Sequence, residues 1–202
     1  MTTDTATLQA ATFAERERLV GLLAGLTPEQ WATPSLCEGW RVREVVAHIT
    51  MAYRISGPAF FAGLLRSWFR FHRYADRAAK ADTAKLTDAQ LLEVLRENIR
   101  HPWQPPGGGQ AGALSHDVIH GLDITEPLCL PPVPPERIAL VLDGSGGRDF
   151  DYFGVDLRGT RLIATDAEVR VGDGPDEVTM PAKDVLLVLT GRRPMPGRKR
   201  TV

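Results

Sequence analysis

The chain has 202 residues, 43% of them hydrophobic and 24% charged, the make-up of a globular protein of one or two domains and of neither a disordered nor a collagen-like one. Lys and Arg total 24 against 25 Asp and Glu, so no overall field draws nucleic acid or an anionic membrane, and neither is expected as a partner. Cys37 and Cys129 form no C-x-x-C pair, which argues against a disulfide framework or a thiolate zinc site and for a reducing cytoplasm. No secretory pattern opens the sequence and no apolar run reaches the length of a membrane span, so a soluble, unprocessed chain is expected.

Apolar residues recur at three- and four-residue spacing through the first 130 residues, which predicts a mainly helical region. Leu8, Phe13, Leu19, Val20, Leu23 and Leu26 mark a first helix from about Thr7 to Leu26, ended near Thr27-Pro28. Trp31 to Trp40 is a turn-rich connection, in which Gly39 and Trp40 set the start of a second helix bearing Val42, Val45, Val46, Ile49 and Tyr53. After Gly57-Pro58, Phe61, Leu64, Leu65 and Trp68 fall at i, i+3, i+4 and i+7 with arginines between them, a short amphipathic helix with an aromatic-rich face. The aromatic stretch Phe60 to Tyr74 suits a pocket cover or a lipid contact, but a stripe of this kind is more often core.

A third long helix opens at Thr87, where Thr87 and Gln90 have capping-box spacing, and a fourth covers about Ala111 to Leu122. The character changes after the prolines at 131, 132, 134 and 135. Glu136 to Leu142 reads as a short helix, then a Gly-rich stretch leads to the β-leaning segments Arg161 to Asp166, Val169 to Gly172 and Glu177 to Met180. A final helix, Ala182 to Leu189, closes at Gly191, and the basic tail Arg192 to Arg200 is expected to be mobile. The class is α+β, mainly α, with domains expected at 1–135 and 136–202.

His116 and His120 sit four apart in the fourth helix, so both imidazoles share one face and can give two nitrogen ligands to a divalent metal. His48, among Val45, Val46 and Ile49, is the natural third ligand from another helix. Five histidines would yield such an i, i+4 pair by chance roughly one time in ten. Position 117 is Asp, so H-E-x-x-H and its general base are absent, while Asp117 could itself ligate with His120 and leave His116 as the outer partner. His72 and His101 read as surface or structural, and Cys37, between two tryptophans, reads as a small packing residue before a reactive thiol.

The stretch W-A-T-P-S-L-C-E-G-W-R-V-R-E-V-V-A-H, Trp31 to His48, followed by H-D-V-I-H-G-L-D-I, His116 to Ile124, resembles the DinB-like metalloproteins and, within them, the mycothiol-dependent maleylpyruvate isomerase family. L-I-A-T-D ending at Asp166 and A-x-D-x-L-L-x-L-T-G-R, Ala182 to Arg192, are similar to that family's second domain. The resemblance implies a DinB-like four-helix bundle with one metal between helices, then a small C-terminal α/β domain of sterol-carrier-like flavour. It places the first ligand on His48 and the last on His120. The middle ligand, a Glu in the isomerase, falls on His116, and three histidines are the pattern of other DinB-like proteins. A neutral imidazole there raises the charge of the site and alters its Lewis acidity. An essential arginine late in the second domain has Arg192 or Arg193 as its nearest match.

These readings lead to an enzyme holding a divalent metal, zinc first with nickel or iron as the alternatives, at His48, His116 and His120. Mycothiol is the implied thiol cofactor, an electrophile the substrate, and thiol transfer or thiol-assisted cis-trans isomerisation the reaction. The rival is a non-catalytic metal-holding module that binds a small molecule or partner. Oligomeric state, homodimer or otherwise, is not fixed by the sequence.

Overall fold

The computed structural model describes residues 3–144, 153 and 155–197. Its helices are α1 (Thr5–Leu23), α2 (Pro28–Trp31), α3 (Val42–Arg54), α4 (Gly57–Arg66), α5 (Phe71–Thr83), α6 (Asp88–Glu97), α7 (Gly109–Thr125), α8 (Pro135–Gly144) and α9 (Ala182–Leu189). The strands are β1 (Thr160–Ala164), β2 (Arg170–Val171) and β3 (Asp176–Met180). The protein is therefore mainly helical with a small sheet, the α+β class that the periodicities predict. The Gly-rich stretch at 145–150 and the end of the basic tail from 198 lie outside the described residues.

The helix starts follow from local chemistry. Asp4 accepts the backbone N–H of Thr7 at 3.0 Å and so caps α1. Thr27 with Gln30 and Thr87 with Gln90 form reciprocal capping boxes at α2 and α6, the second of them at the expected position. At α3 the N3 residue Glu44 accepts the Arg41 backbone N–H at 2.9 Å and the Arg41 guanidinium at 2.5 Å, and the Thr83 hydroxyl donates to it at 2.9 Å. Burial pushes the Glu44 carboxyl up, but these hydrogen bonds and the Arg41 charge outweigh it and hold its pKa below the usual carboxylate value.

The chain divides into two compact units, one made of 13–104 and 123–130, the other of 1–12, 105–122 and 131–202. The first is built on α3, which packs against α5 and α6. Its core gathers Leu19, Leu23, Trp31, Val42, Val45, Val46, Ile49, Leu91 and Leu95, all buried. Helix α5 is absent from the expectations, because its buried face is Tyr74, Ala75, Ala79 and Thr83 and holds no Leu, Ile or Val. Small residues bring it close to α3 without writing an apolar stripe into the sequence.

In the second unit β1 lies between an antiparallel β2 and a parallel β3, with Leu162 opposite both Val171 and Val178. Helix α9 packs on β1 and on α8. Asp166, the last residue of the L-I-A-T-D motif, accepts the Ala182 backbone N–H at 2.7 Å and ties the sheet to the start of α9. At the other end of α9, Gly191 has φ +70° and donates to the Val188 carbonyl, while the Arg192 N–H reaches the Leu187 carbonyl at 2.8 Å. This is a Schellman ending with Gly at its left-handed position.

Helix α4 ends in the same way with a different residue. The Trp68 N–H donates to the Leu65 carbonyl and the Phe69 N–H to the Leu64 carbonyl, both at 3.0 Å. The left-handed position is occupied by Trp68, φ +54°, and Phe69 follows at +56°. Gly63 lets Tyr74 of α5 approach, since a Cβ there would lie 2.3 Å from the Tyr74 ring. The stripe expected as core is not core: Phe61, Leu65 and Trp68 are exposed, and it is Tyr74 that is buried. The face of α4 that packs is the narrow one around Gly63.

Candidate metal centre

Helix α7 supplies His116 and His120 as the spacing predicts, with ring centroids 4.8 Å apart in an edge-to-face arrangement. His116 Nδ1 lies 2.9 Å from the Oδ1 of Asp117, whose side chain is fully buried. With Asp117 ionised, its carboxylate accepts the Nδ1 proton and Nε2 is the nitrogen left with a free lone pair. Asp117 thereby fixes the orientation of the His116 ring, as a carboxylate behind a metal-ligating histidine does.

His48 is buried on α3 among aromatic rings, with Trp40 at 5.2 Å and Phe71 at 6.5 Å between centroids. The Trp40 indole is itself fixed, because its Nε1–H donates to Asp76 Oδ1 at 2.9 Å. The loop before α3 is closed by Ser35, whose N–H and hydroxyl both donate to the Trp40 carbonyl at 2.9 Å. These rings and hydrogen bonds around His48 come from the Trp31 to His48 stretch and from α5.

His116 and His120, one turn apart on α7, can each offer an imidazole nitrogen to a divalent ion, and His48 on α3 is a further candidate ligand. Imidazole nitrogens suit a divalent metal, and one of these rings, His116, is oriented by a buried carboxylate. Cys37 and Asp123 form a further pair of donor residues. The Cys37 thiol donates to Asp123 Oδ2 at 3.0 Å, and the Asp123 carbonyl accepts the Leu36 N–H at 3.1 Å. Cys37 is therefore more than a packing residue. Asp123 was legible only as the H-x-x-D spacing after His120, a signal hidden beside the stronger H-x-x-x-H.

The remaining candidates have contacts of their own. Arg192 donates to the Thr190 carbonyl at 3.0 Å and lies over the Phe153 ring at 5.6 Å, and Arg193 pairs with Asp184 of α9. His72 is exposed. His101 accepts the Trp103 N–H on Nδ1 at 3.1 Å, and its pKa is lowered by burial and then by the Arg16 charge, a structural histidine as expected. No helix among the described residues is long and apolar enough to cross a membrane.

Residues 12–102 match the family model of the mycothiol maleylpyruvate isomerase N-terminal domain. That segment of the chain is similar to this family. The match covers α3 and His48 and stops before α7, so the His116 and His120 pair is carried by the structure and the sequence spacing alone. No curated protein and no solved structure matches the chain.

Proposed function

We propose that the protein is a metal-dependent enzyme that uses a low-molecular-weight thiol, mycothiol, for thiol transfer or thiol-assisted cis-trans isomerisation of an electrophile. The single observation behind this reading is that His48, a candidate ligand alongside the His116 and His120 pair, lies in a segment similar to the mycothiol maleylpyruvate isomerase N-terminal domain. In this reading the helices form a DinB-like four-helix bundle, His48, His116 and His120 hold the ion, and zinc is the metal to test first, before nickel and iron. When bound, a divalent ion there favours the thiolate form of a coordinated thiol at neutral pH.

The chain's own residues have distinct parts. Asp117 holds the His116 ring, and Trp40 and Phe71 flank His48 and keep water from its ring edges. Arg192 and Arg193 are the residues we assign to an anionic group of the substrate, a carboxylate being matched by a guanidinium fork. A reducing cytoplasm suits a thiol cofactor, and neither Cys37 nor Cys129 is in a disulfide.

Metal analysis of purified protein should find close to one divalent ion per chain, and His120→Ala should lose most of it. With cobalt in the site, mycothiol should add a sulfur-to-metal charge-transfer band and release a proton on binding. Arg192→Lys and Arg193→Lys should lower turnover and leave metal content unchanged. Metal without any thiol response or thiol-dependent turnover of maleylpyruvate would leave a non-catalytic metal-binding module as the better account.

A further inference from the structure

The turn joining α4 to α5 carries a surface that the metal chemistry does not use. Trp68 is 83% exposed, Phe69 60%, Phe61 59% and Leu65 55%. Large apolar side chains this exposed and this close together mark an interaction site. Basic residues frame them. Arg66, Arg70 and Arg73 are all exposed, and residues 56–75 contain these three arginines and no acidic residue. The nearest carboxylate in sequence, Asp76, is taken by the Trp40 indole and by Lys80.

The backbone adds an independent observation. Helices α4 and α9 end in the same hydrogen-bonded motif, with Gly191 at the left-handed position of one and Trp68 at that position of the other. A bulky residue in this conformation is disfavoured, and Phe69 repeats the cost at once. The strained backbone leaves two consecutive aromatic rings largely in solvent, Phe69 meeting only the exposed Phe61 edge-to-face among the ring contacts of the described residues, while α4 meets α5 through Gly63, Phe60 and Tyr74.

We propose that this turn docks the protein on an anionic lipid surface, with Trp68 and Phe69 entering the headgroup-acyl boundary and Arg66, Arg70 and Arg73 meeting lipid phosphates and carboxylates. An amphipathic element with aromatic residues on one side and arginines beside them is what such a boundary selects. A second copy of the chain is a poorer occupant: a two-fold contact through this patch would set each arginine group against its own mate with no carboxylate to offset it. The contact is peripheral, and it differs from the expectation of no membrane partner because a net charge of −1 averages away a local cluster.

The test is co-sedimentation of the full metal-loaded chain with vesicles of phosphatidylcholine alone and of phosphatidylcholine with phosphatidylserine. Binding is expected to the second only, and to fall with added salt. Trp68→Ser combined with Phe69→Ser should weaken it roughly a hundredfold, and Arg66→Gln, Arg70→Gln and Arg73→Gln together should do so by about the same factor. Both variants alter exposed residues, so unchanged metal content and unchanged circular dichroism check the fold. No binding to anionic vesicles overturns the proposal, as does equal binding to the zwitterionic ones. A concentration-dependent dimer abolished by the Trp68 and Phe69 substitutions, with no vesicle binding, would assign the patch to a second copy instead.

Discussion

Asp117 and Glu44 are both buried carboxylates, yet they serve different ends. Asp117 has His116 as its imidazole partner at 2.9 Å, so replacing it by Asn leaves a side chain of the same shape that can present an N–H where an acceptor is needed. Asp117→Asn is expected to lower metal affinity about 10- to 100-fold with little change in helix content, measured by competition with a chromophoric chelator. Complete metal loss there with retention in His116→Ala would reverse the two roles and make Asp117 the ligand. Glu44 works on stability. Its folded-state pKa is depressed, so its contribution is full at neutral pH and is lost as pH falls below the usual carboxylate range towards the folded value. Glu44→Gln keeps the shape but loses the charge that Arg41 and Thr83 address, a cost of about 1–3 kcal/mol at neutral pH. Melting temperature followed from neutral to acid pH should therefore separate the two proteins at neutrality and bring them together in acid. A constant gap across that range would show that Glu44 is not the titrating group.

At the level of elements, the sequence is legible where a cap or a strong apolar period marks a boundary, and obscure where packing is made by small residues. The Thr87 and Gln90 box and the α9 limits fall where expected, because local hydrogen bonds decide them. Helix α5 escapes the same reading, since Ala75 and Ala79 pack on α3 without an apolar stripe to announce them. Helix α4 shows the reverse error, a strong stripe that points to solvent. For the site, the helical repeat places His116 and His120 together, whereas the aromatic neighbours of His48 depend on which loop and helix fold back onto α3. The strained end of α4 yields a prediction of its own. Trp68→Gly relieves a left-handed tryptophan that buries little surface, and thermal melting should show a gain of about 0.5–1 kcal/mol. Gly191→Ala, at the equivalent position of α9, should cost a similar amount. A tryptophan that destabilises its own helix end and weakens vesicle binding when removed would be retained for contact and not for folding. Loss of stability in Trp68→Gly would instead mean that the ring packs within the folded chain.

Across the whole molecule the proline cluster that ends at Pro135 is the one composition change visible in the sequence, and we propose the domain boundary there. The compact units make this a demanding proposal, because 105–122 groups with 131–202 while 123–130 groups with 13–104, the division falling inside α7. A division inside a continuous helix is not something composition signals, since α7 carries no Pro and its Gly121 does not interrupt the helix. Truncation after Pro135 resolves the question by two separate readouts. The buried residues of the α3 core, from Leu19 to Leu95 and Ile124, all precede the cut, so the helical signal should survive. His48, His116 and His120 also precede it, and the expected outcome is retention of close to one metal per chain. Retention of both signals places the boundary at Pro135. Helices without metal would mean that the His116 turn of α7 needs the C-terminal segment to hold its position, and loss of both would make the chain one cooperative folding unit in which the small sheet and α9 stabilise the site from a distance in sequence.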